Sequence, residues 1–246
     1  MAVNKNIYGL VDKWLKFTHS IINDAGLCFL CGDTLQLSDH SLCTFCRQDL
    51  PIIRNACLMC GIPMPAGELC AHCIQERKPV INHTYCPFRY AYPVSKLIQD
   101  MKFHSRLDLV SFFAQYLAEN FLQKITERPQ CLIPIPLHSS RLRVRGYNQS
   151  LELAKHLSQI LNIPVDNKSF VRTRKTRIQS ELLAKQRKRN IKGAFAKNRT
   201  VLPTYNHIAI IDDVVTTGAT VDEMARLIKK FGVERVDVWA CARAAV

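Results

Sequence analysis

No stretch of this 246-residue chain is apolar for long enough to cross a bilayer. The nearest approach, residues 7–22, carries Ile7, Leu10, Val11, Trp14, Leu15, Ile21 and Ile22 but interrupts them with Asp12, Lys13, Lys16 and His19. That pattern is expected of a short amphipathic helix packed on its own protein, with no membrane span. Residues 1–10 also lack a charged segment followed by an unbroken apolar run, so no secretion signal is expected and a cytoplasmic location is. Acidic side chains are the second scarcity: 20 Asp and Glu stand against 34 Lys and Arg, a net charge of +14. The deficit is local. Between positions 139 and 200, 16 Lys and Arg meet only Glu152, Asp166 and Glu181. One segment therefore carries nearly the whole excess, and it suits a polyanion such as pyrophosphate or nucleic acid. Disorder is excluded by the 48% hydrophobic content, which is enough for one α/β domain and a small appendage.

Eight of the eleven cysteines fall in four Cys-x-x-Cys pairs: Cys28/Cys31, Cys43/Cys46, Cys57/Cys60 and Cys70/Cys73. Two residues between thiols let one tight turn aim both sulfurs at a single ion, and two such turns complete the tetrahedral four-sulfur shell that zinc favours. Gly32 and Gly61 follow the first pair of each set, where a knuckle needs a positive φ. The two sets read as copies of one unit, which assigns two structural zinc ions. One falls to Cys28, Cys31, Cys43 and Cys46, the other to Cys57, Cys60, Cys70 and Cys73. An interleaved cross-brace, with Cys28/Cys31 joined to Cys57/Cys60, satisfies the same spacing. Disulfides fit poorly without a secretion signal, and iron–sulfur ligation lacks its usual compact spacing. A closed four-thiolate site is structural and supplies folding energy on the order of 10 kcal/mol. His72 reads as a spacer, because four sulfurs already close the shell. Cys131 and Cys241 lie in apolar, strand-like runs and read as small buried hydrophobes.

After Cys73 the pattern alternates. Helices are expected over 95–121, 151–161 and 219–231, and strands over 131–136, 208–211 and 235–241. This alternation predicts an α/β fold, a parallel sheet with helices on both faces, whose ligands sit beyond the carboxyl ends of the strands. One segment stands out. Ile208, Ala209, Ile210 and Ile211 make a buried strand, and Asp212, Asp213, Val214, Val215, Thr216, Thr217, Gly218, Ala219 and Thr220 follow it into a helix start. Neighbouring carboxylates suit the two hydroxyls of a ribose diol. The Thr-rich turn brings free backbone N–H groups, the positive end of a helix dipole and hydroxyl donors to a phosphate, and Gly218 lets the backbone approach it. An apolar strand with an acidic cap and an ordinary helix start is the plainer alternative, but the joined pattern is far more specific.

These thirteen residues resemble the signature of type I phosphoribosyltransferases, enzymes that use phosphoribosyl pyrophosphate (PRPP). A wider resemblance covers nearly the whole chain. The paired Cys-x-x-Cys ribbons are followed by Tyr90-Ala91-Tyr92, Leu97-Ile98 and Lys102-Phe103, then by Pro134-Ile135-Pro136-Leu137-His138 and Arg145-Gly146-Tyr147-Asn148-Gln149. Arg172, Thr176, Gln179, Arg187, Asn190 and Gly193-Ala194-Phe195 complete the succession. It resembles the ComF (ComFC, GntX-like) family of bacterial proteins associated with natural competence and DNA uptake. The resemblance implies a type I phosphoribosyltransferase sheet with an N-terminal double zinc ribbon. It also implies Asp212 and Asp213 on the ribose hydroxyls, residues 216–220 around the 5-phosphate, and Mg²⁺ bridging pyrophosphate and ribose oxygens.

The expected domains are an amphipathic helix at 1–27, the double ribbon at 28–80 and the phosphoribosyltransferase-like domain at 81–246. By position, 134–149 is the pyrophosphate loop, with Arg141, Arg143, Arg145 and Gly146 facing the anion. Residues 172–179 take the place of the mobile loop that closes over PRPP in the family, and Lys175 or Arg177 there would stabilise charge developing on pyrophosphate. No general base stands out, which suits an acceptor bringing its own nucleophilic nitrogen. Two functions remain open: transfer of the phosphoribosyl group to a base or amine, and single-stranded DNA binding with the PRPP site as a sensor. For the second, Arg141, Arg143, Lys185, Arg187 and Lys188 are the candidate contacts, and proteins of the competence machinery are candidate partners.

Overall fold

The computed structural model describes residues 26–35, 41–75, 79–103, 106–122, 127–175, 189–198 and 205–244. These divide into two compact units, one ending at Leu50 and the other beginning at Pro51. In the first unit, a bridge between Leu27 and Thr34 carries the first knuckle, and helix α1 (Thr44–Gln48) starts right after Cys43 and holds Cys46 of the second. The second unit opens by repeating that plan, with a bridge between Ala56 and Pro63 and helix α2 (Ala71–Gln75). It then builds the sheet.

Two apolar runs grow into nine-residue strands, β6 (His207–Val215) and β7 (Arg235–Arg243), which pair in parallel along their length. Strand β3 (Cys131–Pro134) flanks β6, while β1 (His83–Tyr85) and β2 (Phe88–Arg89) flank β7, giving the order β1-β7-β6-β3 with every pairing parallel. A separate antiparallel ribbon joins β4 (Phe170–Arg172) to β5 (Phe195–Lys197). A parallel sheet needs cover on both faces. On one face, Ile208, Ile210, Val236 and Val238 share a core with Val221, Met224, Ala225 and Ile228 of helix α7 (Ala219–Lys229). On the other, Trp239 packs against Phe121 of helix α4 (Asp108–Leu122) with ring centroids 3.5 Å apart. Helix α6 (Gln149–Leu161) buries Leu153, Ala154, Leu157 and Leu161, and helix α3 (Val94–Phe103) buries Val94, Leu97, Ile98 and Met101. Each set recurs at the three-and-four spacing of one helix face.

Three differences between the element boundaries and the sequence pattern stand out. The helix expected over 95–121 is two helices, and α4 begins afresh at Asp108, an acid in its first turn held by the Arg106 guanidinium at 2.6 Å. The strand expected over 131–136 stops at Pro134; the next amide, Ile135 N–H, still donates to the Ile211 carbonyl at 2.9 Å. Strand β6 does not end at Ile211. It continues through Asp212 and Asp213 because β7 runs to Arg243 and supplies partners for Val214 and Val215.

The second ribbon is fastened directly to this sheet. Thr84 of β1 donates its N–H to the Leu58 carbonyl and its hydroxyl to the Met59 carbonyl, both at 2.7 Å. Gly61 has φ +69° and lies so close that an added Cβ would sit 2.8 Å from Thr84 Cγ2. Gly67 has φ +89° with open space around it. Gly61→Ala should therefore cost more than the left-handed backbone alone, about 2–3 kcal/mol against about 1 kcal/mol for Gly67→Ala. Thermal melts of the two variants check this, with a clearly larger drop in midpoint expected for Gly61→Ala.

Candidate functional site

Zinc geometry is written in the sulfurs. The ligand atoms of Cys28, Cys31, Cys43 and Cys46 lie within 4.8 Å of one another, as do those of Cys57, Cys60, Cys70 and Cys73. Cys31 and Cys43 Sγ are 3.7 Å apart, and so are Cys60 and Cys70 Sγ. A tetrahedron with bonds of about 2.3 Å has edges close to that length. The pairing is thus sequential, and the interleaved cross-brace is set aside. Gly32 and Gly61 have φ of +77° and +69°, and their N–H groups close identical turns onto the Cys28 and Cys57 carbonyls. Without a cation the thiols oppose one another. Burial raises the Cys57 pKa, but backbone N–H groups around Cys60, Cys70 and Met59 outweigh it and draw it to about 7. Cys60 moves the other way, through burial and the neighbouring Cys57 charge. Only a dication lets all four ionise together. His72 stands outside the ligand set, and Cys131 and Cys241 are fully buried.

At the carboxyl edge of the sheet, Asp212 Oδ1 accepts from Ser150 Oγ at 3.2 Å and from the Asp213 N–H at 2.9 Å. Asp213 Oδ1 lies 2.7 Å from Lys102 Nζ at the end of α3. Burial, reinforced by the Asp213 charge, pushes the Asp212 carboxyl up to about 7. Burial alone would lower Lys102, but Asp213 overrides it and holds the ammonium above its usual range. Beyond the acids, Thr216, Thr217 and Gly218 turn into α7 while partly exposed. Gly218 caps the helix with φ +80°, and the Ala219 N–H donates to Thr217 Oγ1 at 3.4 Å. This start is a place where backbone N–H groups and a helix dipole meet solvent.

The basic residues divide. After β3, His138 caps helix α5 (Ser139–Arg145), and Gly146 ends it with φ +84°. Arg141 is partly buried and Arg143 exposed. Arg145 turns away to Gln149 Oε1 at 2.7 Å and to the Phe103 ring, 5.1 Å from its centroid. Lys175 is exposed just after β4. Arg177, Lys185, Arg187 and Lys188 lie outside the described residues, as do Thr176, Gln179 and the segment 1–25. Near the acids stands a cation that the charge count did not single out. Arg172 of β4 is 8% exposed, and burial together with the Arg141 charge lowers its pKa to about 10, partly offset by Asp212.

Known proteins resemble this chain in sequence. A double zinc ribbon family model matches residues 25–74, and a phosphoribosyl transferase domain model matches residues 148–245. The DNA utilization protein YhgH of Shigella flexneri is 37% identical over 89% of this chain and 97% of its own length. Competence protein F of Haemophilus influenzae is 34% identical over 88% of the chain and 96% of its own length. The chain belongs to the ComF family. Competence protein ComFC of Bacillus subtilis is a more distant relative, 25% identical over 79% of the chain and 80% of its own length. A solved purine phosphoribosyltransferase from Pyrococcus horikoshii matches 55% of the chain and 82% of its own at 19% identity, with a TM-score of 0.32. Among the described residues, no helix is long and apolar enough to cross a membrane.

In this ComF-family chain, four side chains around the site escaped a motif-by-motif reading: Lys102, Ser150, Arg172 and Arg243. Lys102 and Arg172 were visible only as members of the family pattern, and Ser150 only as the residue after Asn148-Gln149. Arg243 had no signal at all. It is 4% exposed; its Nε donates to the Cys60 carbonyl at 2.8 Å, and its Nη1 to the Val215 carbonyl at 3.2 Å and to the Thr216 carbonyl. One guanidinium thus joins the second zinc ribbon to the turn before α7. Between them lies a cavity of about 410 Å³ bounded by Met59, Ile62, Thr84, Thr217, Asp222 and Arg226.

The sulfur geometry makes a direct forecast. Metal analysis should find two zinc ions per chain. A Cys28→Ser, Cys43→Ser double variant should keep one, whereas an interleaved pairing would damage both sites and leave none.

Proposed function

We propose that this ComF-family chain binds PRPP with Mg²⁺ at the carboxyl edge of the sheet and acts in DNA uptake. The observation that carries the reading is the β6–α7 connection: two carboxylates on the last turns of a buried strand, then a partly exposed Thr-Thr-Gly helix start. In this reading residues 216–220 hold the 5-phosphate. Asp213 exchanges the Lys102 ammonium for a ribose hydroxyl, and Asp212 takes the other. Arg141 and the buried Arg172 face pyrophosphate, with Arg143, Arg145 and Gly146 in the same loop and helix, and Lys175 or Arg177 closes over it. Mg²⁺, a hard cation that takes oxygen ligands, neutralises pyrophosphate charge when bound with the ligand, and the oxygen donors here suit it. Displacement of pyrophosphate at C1 would then rest on positioning and fixed charge. The cavity walled by the second ribbon is the place for an acceptor base or amine.

The role in DNA uptake follows the names of the relatives and the basic segment. A second reading keeps the PRPP site as a sensor and makes single-stranded DNA the working partner, through Arg141, Arg143, Lys185, Arg187 and Lys188; proteins of the competence machinery are further candidate partners, and the cytoplasm the expected place.

Two measurements test the primary reading. Calorimetric titration with PRPP and Mg²⁺ should show binding that an Asp212→Ala, Asp213→Ala variant weakens by at least about a hundredfold, since two hydrogen bonds to charged groups are worth about 3 kcal/mol or more together. Pyrophosphate release in the presence of candidate acceptors then separates a transferase from a sensor. Affinity should also depend on pH. The ionised carboxylate is the better acceptor, and the folded-state value of about 7 means it is half protonated near neutrality. Binding should therefore strengthen as pH rises from 6 to 8. In Asp212→Asn only the ligand's own phosphate titration should remain, so the gain should shrink.

A further inference from the structure

The mechanism proposed above leaves one exposed feature unused. Phe103, the last residue of α3, is 68% exposed, although burying such a ring is worth about 1.5–3 kcal/mol. A lone exposed phenylalanine needs no explanation. This one is organised. Its ring lies under the Arg145 guanidinium at 5.1 Å, and Arg145 is itself oriented by Gln149 at 2.7 Å. The Tyr147 hydroxyl donates to the Met101 carbonyl, tying the turn after α5 to the end of α3. Along α5, exposed Arg143 alternates with apolar side chains left in water: Val144 is 90% exposed and Leu142 42% exposed. A seven-residue helix that buries none of its residues is not there to build a core.

We propose that Phe103, braced by Arg145, is a base-stacking platform for single-stranded nucleic acid, with exposed Arg143 of the same short helix α5 as a phosphate contact. An aromatic face offers every base a partner regardless of sequence, and adjacent guanidiniums meet the phosphates, which is how sequence-tolerant single-strand sites are built. The charge on the page matches that occupant. Arg143 and Arg145 open the basic segment 139–200, which supplies nearly all of the chain's net positive charge. An acidic protein surface would answer the arginines but gain nothing specific from the ring. The platform also adjoins the sugar site, because Lys102, one residue before Phe103, is the cation paired with Asp213. The proposal deepens the DNA-uptake reading and rests on it, not on PRPP binding.

The test is fluorescence anisotropy of the full-length zinc-loaded protein with labelled oligothymidylate and with the same length of duplex DNA. Phe103→Ala should weaken single-strand binding by about tenfold, while Phe103→Trp retains or improves it. Phe103→Leu, which keeps apolar bulk without a π face, should behave like alanine. Arg143→Gln should lower the slope of log affinity against log salt by about one phosphate contact. Thermal melting of all the variants verifies the fold, and PRPP calorimetry on the Phe103 variants verifies the sugar site. Full-strength single-strand binding by Phe103→Ala and Phe103→Leu would overturn the platform while leaving the PRPP assignment untouched. So would equal losses on duplex and single strand, which mean charge alone. Loss of PRPP binding in the wild type would instead sink the earlier reading and spare this one.

Discussion

Two like charges side by side at the end of a buried strand are costly unless something compensates them, and much of the site is arranged around that cost. Asp212 and Asp213 ride on a strand that leaves the core only because its neighbour gives it backbone partners for three more residues. Compensation comes from three directions: the Ser150 hydroxyl at the start of α6, the Lys102 ammonium at the end of α3, and the nearby Arg172 charge on β4. Burial, reinforced by the Asp213 charge, nonetheless keeps the Asp212 carboxyl above its usual range. The pair therefore stays available to donors such as the hydroxyls of a sugar, which gain most where a carboxylate is incompletely satisfied.

The zinc ribbons solve a different problem. Their stretches are too short to bury a stabilising core, so metal–thiolate bonds replace hydrophobic area as the source of folding energy. In the second ribbon that rigidity is transmitted. Arg243 reaches from the Cys60 carbonyl to the Val215 and Thr216 carbonyls, and Thr84 holds Leu58 and Met59. A knuckle fixed by metal thereby braces one wall of the cavity and the turn that opens α7. The ribbon serves as a structural part of the domain that carries the sheet, which is why the compact unit begins at Pro51 and not after the last cysteine.

Much of the framework was readable from local rules. Four Cys-x-x-Cys pairs announce zinc because ligand spacing is a short-range property, and the positive φ at Gly32 and Gly61 follows from the same tight turns. The apolar runs at 208–211 and 235–241 announce buried parallel strands. Where strands ended was not readable, because the limit is set by the neighbouring strand's backbone and not by side-chain hydropathy. The break between α3 and α4 was missed for a related reason: apolar periodicity persists on both sides of it, and the Arg106–Asp108 pair that restarts the helix carries no hydrophobic signal.

The amino-acid order by itself determined the zinc chemistry, the α/β class, the position of the acid pair and the concentration of positive charge, since each depends on residues near one another in the chain. The sequential sulfur pairing was favoured by the repeat and told apart from the interleaved one only by the folded geometry. The long-range partners of Asp212 and Asp213, the Arg243 bridge and the exposure of Phe103 were decided only in three dimensions. The contacts with Ser150, Lys102 and Cys60 join positions about sixty to nearly two hundred residues apart, and they are selected by how helices and the second ribbon cover the sheet. No local pattern encodes that outcome.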